Sequence, residues 1–441
     1  MSTETTMSGT LETSFPQAVG RATDAKIFWR LIPIILASLV INQLDKVNVA
    51  FAKLQMAPDI GLSNTAYGLG AGIFFIGYCL FEIPSNMLLH KIGARAWITR
   101  ILLSWGVLSA CTMFVAGPTS FYALRFFLGV AEAGFAPGIM LYVSQWFPAR
   151  TRGRVIAVFM TALPISGVIG SPLSAWLMTS APTVLPLSGW QWMFLCEGLP
   201  AILCGVAFWV LVPDTIDDAA WLDPAEKAAL KAEVGGVQAH HSGSFAKGLA
   251  DPRVWLLCAV YFLFVAALYG VSFWLPTLIK ALGFDGIRQI GLMTALPYAA
   301  AVVTMLAFAW NSDRTGERRR HLAVAGVIGA IFLILSVLSR ASPMWSFAAL
   351  IAAMAGIVTT IPLFWNLPTA FLKGATAATG FALITSIGNL SGFVAPYLVG
   401  VVTDATGSTA SGMYVLAAAA IFGVLLVFLV PSRLVNRASS R

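Results

Sequence analysis

Long apolar runs separated by short polar turns make up most of the chain. After a polar, Ser/Thr-rich opening, such runs occupy residues 27–52, 66–89, 97–117, 120–147, 155–179 and 189–212. A polar stretch, 213–252, follows, carrying Asp214, Asp217, Asp218, Asp223, Glu226, Lys227, Lys231 and Glu233. Six more runs then cover 253–279, 289–311, 321–339, 344–366, 375–403 and 410–430. Each is about the 20 residues that an α-helix needs to cross a bilayer's hydrocarbon core. The pattern predicts an all-α membrane protein with twelve transmembrane helices in two six-helix halves. The expected divisions are a disordered tail (1–26), a first bundle (27–212), a linker (213–252), a second bundle (253–430) and a closing tail (431–441). Within the linker, Asp223-Pro224-Ala225-Glu226 reads as an N-cap, a proline at the first helical position and an early acid, so a short helix is expected there.

Composition agrees with that division. Residues are 58% hydrophobic and 10% charged, against about a quarter charged in soluble domains. The net charge of +8 is explained by sidedness rather than by nucleic acid, which is not an expected partner. With the N-terminus inside, 21 of the 27 Lys and Arg residues fall on the cytoplasmic side and four outside: Lys53, Lys280, Arg288 and Arg340. Positive charge favours the inner side, so both termini are expected in the cytoplasm, of a plasma (inner) membrane protein. The five cysteines lie in apolar runs without metal-ligand spacing and read as packing residues. No cleavable signal is expected, since residues 1–25 lack an apolar core. The four histidines fall at cytoplasmic ends or in the linker, so none is placed as a mid-membrane proton relay.

Charge inside the apolar runs is the informative exception. Arg125 and Glu132 stand seven residues apart in the run 120–147, on one helical face and about 10 Å apart along the axis. Gly129, Ala131, Ala133, Gly134 and Ala136 surround them, allowing close helix approach. Asp45-Lys46 forms a second acid–base pair, in the first run. Ionisable residues at membrane depth cost about 3 kcal/mol each on insertion scales and face a bundle interior or a water-filled path. The competing readings are that Arg125 and Glu132 brace helix packing and that Lys46 only neutralises Asp45. Asp45 and Glu132 are the acids placed deep in the first bundle. Glu82 is expected to snorkel or pair near His90-Lys91, and Glu197 has no assigned role.

The halves also repeat. His90-Lys-Ile-Gly93-Ala-Arg95 follows the second run and Asp313-Arg-Thr-Gly316-Glu-Arg318 the eighth, offset by 313 − 90 = 223 residues. Internal repeats of this size mark secondary transporters with a midplane site. An enzyme would need a convergent Ser/His/Asp set or a metal cluster, and a receptor a substantial outer domain. ATP-driven transport would need a phosphate-binding Gly-x-x-x-x-Gly-Lys-Ser/Thr loop. The sequence contains none of these.

Two six-helix repeats with this loop resemble the major facilitator superfamily. Further residues make the chain similar to its anion:cation symporter branch, the phthalate, tartrate and sugar-acid permeases. They are Leu44-Asp45-Lys46-Val47-Asn48-Val49-Ala50, Gly72-Ile-Phe-Phe-Ile-Gly77-Tyr78, Glu82-Ile-Pro-Ser85, Arg125 to Glu132, Trp146-Phe-Pro148 and Ser386-Ile-Gly388-Asn389 with Gly392. The resemblance implies proton-coupled import of an organic anion, with Asp45 and Glu132 as proton carriers and Lys46 and Arg125 as substrate and coupling ligands. It also implies a gating loop at Asp313, Arg314, Gly316 and Arg318. His90 stands where that motif's first copy has Asp, Lys46 where the family usually has Arg, and Gln43 where it often has Tyr. Thr161-Ala162-Leu163-Pro164 lacks the amide that sugar-acid members tend to offer, leaning towards a less hydroxylated substrate.

The chemistry asked of these residues is consistent. A carboxylate leaving water needs fixed positive charge. Arg125 can grip it bidentately, and Lys46 supplies a second, less directional cation, which suits a dianion. Tyr78, Asn366, Ser386 and Asn389 are candidate hydrogen-bonding ligands. Trp365 is a candidate aromatic wall, because Pro362 and Pro368 are expected to interrupt its helix. The expected protein is thus a monomeric, cofactor-free symporter for a small or aromatic, phthalate-like dicarboxylate, with protons as coupling ions. A tartrate or sugar-acid symporter is the alternative.

Overall fold

The computed structural model describes residues 16–182, 186–235, 250–372 and 375–436. Their regular elements are all helical, and twelve helices are long and apolar enough to cross a membrane. Numbered in chain order, the first six spans are Ala22–Asp59, Asn64–Ile92, Ala94–Phe114, Pro118–Trp146, Arg150–Thr179 and Gly189–Leu211. Spans 7 to 12 are Pro252–Ala281, Ile287–Thr315, Arg319–Leu338, Pro343–Phe371, Thr379–Thr406 and Thr409–Leu429. Their outward faces are apolar, as with Leu203 and Val210 of span 6, both 68% exposed. Lipid rather than water suits such surfaces.

Glycine sets how closely the helices cross. In the first half, a Cβ on Gly198 of span 6 would sit 2.7 Å from the Gly106 carbonyl oxygen of span 3. In the second, a Cβ on Gly356 of span 10 would sit 2.5 Å from the Gly329 amide nitrogen of span 9. Two helix pairs then join the halves. Span 2 lies on span 11, where a Cβ on Gly68 would reach within 2.4 Å of the Pro396 oxygen and one on Gly400 within 2.4 Å of the Asn64 oxygen. Span 5 lies on span 8, with Gly291 against Ala175 and Ser171. Spans 2 and 8, like 5 and 11, correspond in the repeat, so each joint is the image of the other.

The repeat extends to single hydrogen bonds. Arg95 N donates to Asp214 Oδ1 at 3.0 Å, and Arg318 N donates to Asn436 Oδ1 at 3.0 Å. Both donors open the span after a motif loop, and both acceptors follow the last span of their half. The donors are 318 − 95 = 223 residues apart and the acceptors 436 − 214 = 222. With His90 in place of the motif's acid, the first loop is still fastened, through Asp214. The linker contains the expected helix, Pro224–Gly235, with Glu226 accepting from Asp223 N at 2.9 Å. Glu226 sits below the ordinary carboxylate range, chiefly through that backbone bond.

Two expectations change. The first helix begins at Pro16, so residues 16–26 of the supposed tail are helical; residues 1–15 lie outside the described residues. Ion pairs explain the extension: Arg150 bridges Asp24 and Glu233, while Lys26 reaches Glu226 at 2.9 Å. Span 10 also runs unbroken from Pro343 to Phe371, through Pro362 and Pro368, rather than being interrupted by them. Hydroxyls and neighbouring helices can absorb the carbonyls a proline frees.

Candidate functional site

Span 1 presents Asn42, Asp45, Lys46 and Asn48 within two helical turns, and successive side chains leave the axis about 100° apart. That divergence separates Asp45 from Lys46. Asp45, 1% exposed, turns towards span 3, where Trp105 Nε1 donates to Oδ2 at 3.0 Å and the Ser109 hydroxyl bonds Oδ1. Asn48 Nδ2 adds a longer bond to Oδ1, at 3.3 Å. Lys46 turns the other way. Its Nζ lies 3.9 Å from Glu132 Oε2 and 5.3 Å from the centre of the Tyr78 ring. Lys46 therefore pairs with Glu132 in preference to its sequence neighbour.

Span 4 holds Arg125 and Glu132 on one continuous helix, Pro118–Glu132, as the seven-residue spacing predicts. The helix ends there. Gly134 takes a left-handed φ of +86°, and a new helix starts at Phe135. A Cβ at Gly134 would meet Ser85 Oγ at 2.3 Å, so both the dihedral and the space call for glycine. Glu132 is fully buried at this break, accepting from Asn42 Nδ2 at 2.6 Å, while its Oε1 has no hydrogen-bond partner. Arg125, 1% exposed, is held loosely for a buried guanidinium. Nη2 reaches the Ala71 carbonyl at 3.4 Å, the group lies 4.9 Å from the Phe74 ring centre, and Nε has no hydrogen-bond partner.

Two further acids join the set, Glu82, expected near the cytoplasmic end, and Glu197, which had no assigned role. Glu82 is 8% exposed and faces Lys46 and Ser386 instead of snorkelling towards His90. Its position four residues after Tyr78, on the same helical face, is the signal that could have located it. Glu197 is 3% exposed and accepts from Ser174 Oγ at 2.6 Å and Asn48 Nδ2 at 2.9 Å. Asp45 and Glu132 are therefore not the only deep acids. Four buried carboxyls (Asp45, Glu82, Glu132, Glu197) share this region with two buried cations, Lys46 and Arg125, an excess of 4 − 2 = 2 acids. Asn42, Trp105 and Ser109 were likewise missed, because neutral donors carry no mark in an apolar run.

The second half faces this cluster with rings and hydroxyls. Tyr269 packs on Phe75 at 4.6 Å, and the Cys79 thiol points to the Ser386 carbonyl at 3.6 Å. Asn389 lies one turn on from Ser386 along span 11 and is half-buried. Trp365 stands between Tyr261 (5.1 Å) and Phe381 (5.9 Å). The Asn366 carbonyl accepts from Arg318 Nη1 at 3.2 Å, which ties that residue to the motif loop. Trp365 and Asn366 thus make these contacts within the second half. In the loop itself, Gly316 ends span 8 in a left-handed conformation (φ +69°), Arg314 lies over Trp310 at 5.4 Å, and Asp313 is exposed.

On the side away from the linker, polar contacts join the two halves. Asp404 of span 11 accepts from Asn64 N, Asn64 Nδ2 and Thr65 N at 3.2, 2.9 and 2.7 Å, capping span 2 from the opposite half. Lys53 lies 3.5 Å from the Trp274 ring centre and donates to Asn64 Oδ1 at 3.0 Å. The Tyr67 hydroxyl donates to the Phe273 carbonyl at 2.9 Å, and Arg288 Nε to Thr179 Oγ1 at 2.8 Å. Among the described residues, no group of three or more His, Cys, Asp or Glu side chains is placed to hold a metal ion.

This architecture is shared by known proteins. The chain is 45% identical over 421 residues to the "Putative metabolite transport protein NicT" of Pseudomonas putida, covering 95% of this chain and 96% of that one. It is 46% identical over 415 residues to a "Putative tartrate transporter" of Agrobacterium vitis, covering 93% and 94%. The crystal structure of a D-xylose-proton symporter superposes with a TM-score of 0.73 at 14% identity, covering 92% and 98%, and shares the fold. The family model of the Major Facilitator Superfamily matches residues 35–396. A multi-pass membrane protein of twelve spans in two repeated halves, the chain belongs to the Major Facilitator Superfamily.

Proposed function

We propose that the protein is a proton-coupled symporter that imports a small organic anion, of the dicarboxylate class, across the inner membrane by alternating access. The observation that carries this reading is the pair of buried, under-partnered cations. Arg125 has an unbonded Nε, and Lys46 is 3.9 Å from the nearest carboxylate oxygen. Buried charge without close partners is costly, and an entering carboxylate supplies what both lack. Aromatic side chains nearby, among them Tyr78, Phe74, Phe75 and Tyr269, favour a planar, aromatic dicarboxylate of phthalate type. Similarity to a tartrate-named relative favours a hydroxylated dicarboxylate as the second reading.

The excess of carboxyls supplies the coupling. Protonating Glu132 releases Lys46 from its ion pair, leaving positive charge to attract the anion together with Arg125. Binding then lets the halves close and reorient. Once the anion leaves, Glu132 loses its proton and pairs with Lys46 again. No cofactor enters the cycle, and one chain carries the whole site. With the linker face cytoplasmic, the contacts around Asp404, Lys53 and Arg288 form the closed outer gate.

Uptake and exchange in reconstituted vesicles test this. Arg125→Gln should abolish binding, since removing a buried charge-paired ligand costs about 2–5 kcal/mol, or one to nearly four decades of affinity. Glu132→Gln, a permanent mimic of the protonated acid, should keep counterflow exchange and lose accumulation driven by a pH gradient. Wild-type affinity in folded Arg125→Gln would overturn the anion assignment. Proton-driven accumulation by Glu132→Gln would overturn the coupling assignment.

A further inference from the structure

Glu197 is one of the deep acids to which the transport cycle above gives no part. It faces its neighbours through neutral donors: Ser174 Oγ of span 5 at 2.6 Å and Asn48 Nδ2 of span 1 at 2.9 Å. The charged group facing it is another acid, Asp45. Span 3 crosses it at Gly106 and Ala110, close to Gly198, and its cations Arg95 and Arg100 lie on the Trp209 and Trp97 rings, away from Glu197. Cys196 adjoins it on its own helix, and Asp59 meets the first turn of span 6, at Trp190 Nε1.

One side-chain amide therefore bridges two carboxyls that are 3% and 1% exposed. Asn48 Nδ2 bonds Glu197 Oε2 at 2.9 Å and Asp45 Oδ1 at 3.3 Å. Asn48 itself is 1% exposed, and its Oδ1 has no hydrogen-bond donor. A buried amide oxygen without a donor is costly, and two carboxylates joined through one amide repel each other. A proton resolves both: a carboxylic acid O–H at this position can donate to the amide oxygen, with the amide turned to suit. Asn48 can then present its N–H to an ionised carboxyl and its C=O to a protonated one.

We propose that Glu197 is a proton-binding site, sharing one proton with Asp45 through the side-chain amide of Asn48. Asp45, anchored by Trp105 and Ser109 and faced by the charges of Arg125, Lys46 and Glu132, is placed to retain its charge, and Glu197 to take the proton. The proposal deepens the coupling reading without requiring it, because the bound proton can be detected in the absence of substrate. Two coupled carboxyls release their protons as a pair, so the macroscopic behaviour belongs to the dyad.

Infrared difference spectra of the full-length protein in lipid nanodiscs, recorded between acidic and alkaline pH, provide the test. Wild type should show titrating carboxylic-acid carbonyl bands. Glu197→Gln should lose one of them, and Glu197→Asp should restore a shifted band. Ser174→Ala, a small change that keeps the acid, should move the titration of that band to higher pH by about one unit, since it removes a donor favouring the charged form. A Glu197→Gln spectrum with every wild-type band, or an unshifted titration in Ser174→Ala, would overturn the proposal. Absence of anion binding by wild type would instead overturn the transport reading and leave this one standing.

Discussion

Two adjacent residues, Asp45 and Lys46, occupy different environments because a helix rotates them apart. The acid receives an indole N–H, a hydroxyl and an amide, while the lysine receives a distant carboxylate and an aromatic face. A closely bonded acid and a loosely paired cation thus sit side by side in the chain. If Lys46 is the second anion ligand, its loss should discriminate between substrates by charge. Lys46→Gln is expected to weaken dicarboxylate binding by tenfold or more and monocarboxylate binding by much less, since about 1.4 kcal/mol corresponds to each decade. Competition against a labelled dicarboxylate measures the ratio. Equal losses for both classes would remove Lys46 from the anion site.

Between elements, glycine decides which helices can cross. The span 3–6 crossing brings backbones together at Gly106 and Gly198, whereas a Cβ on Gly153, on the helix that opens span 5, meets nothing within 4 Å. Overpacking a tight crossing costs typically about 1–3 kcal/mol. Gly198→Val should therefore lower the melting temperature of the purified protein, and Gly153→Ala should leave it within error. Comparable melting temperatures for the two variants would show that the crossing adapts. Gly134 adds a backbone requirement to the steric one, because it ends the helix directly after Glu132 and Ala133. The break places that acid at a helix end, facing Asn42 and Lys46.

At the scale of the whole molecule, the two halves meet through symmetry-related helix pairs, and one face of the joint carries extra polar contacts. Asp404 is central there, with three donors from span 2. Capping of this type is worth about 0.5–2 kcal/mol, enough to shift a two-state population by a factor of about two to thirty. Asp404→Ala should populate the state open on this side. Spin labels at the start of span 2 and the end of span 11 should then report a longer distance in a larger fraction of molecules. An unchanged distance distribution would mean that Asp404 does not hold the gate.

Sequence alone determined the features that depend on local composition and period. Twelve apolar runs of spanning length leave α-helices as the only solution in lipid, and the 223-residue echo of the motif loops foretold paired halves whose hydrogen bonds repeat at almost the same offset. Arg125 and Glu132 share a face because seven residues nearly complete two turns. Tertiary structure decided the rest, because it depends on which helices become neighbours. Nothing local to span 1 says that Asp45 meets Trp105 and Ser109 across 60 and 64 residues, or that Lys46 meets Glu132 across the bundle. Glu82 reads as an acid near His90-Lys91 and Glu197 as one without a role until spans 1, 5 and 11 close around them. Likewise, Trp365 and Asn366 sit on an unbroken helix among second-half partners, since packing overrode the local effect of Pro362 and Pro368. An apolar run specifies that a helix forms and crosses. Which buried charge meets which is set only when the helices pack, since the partners come from residues far apart in the chain.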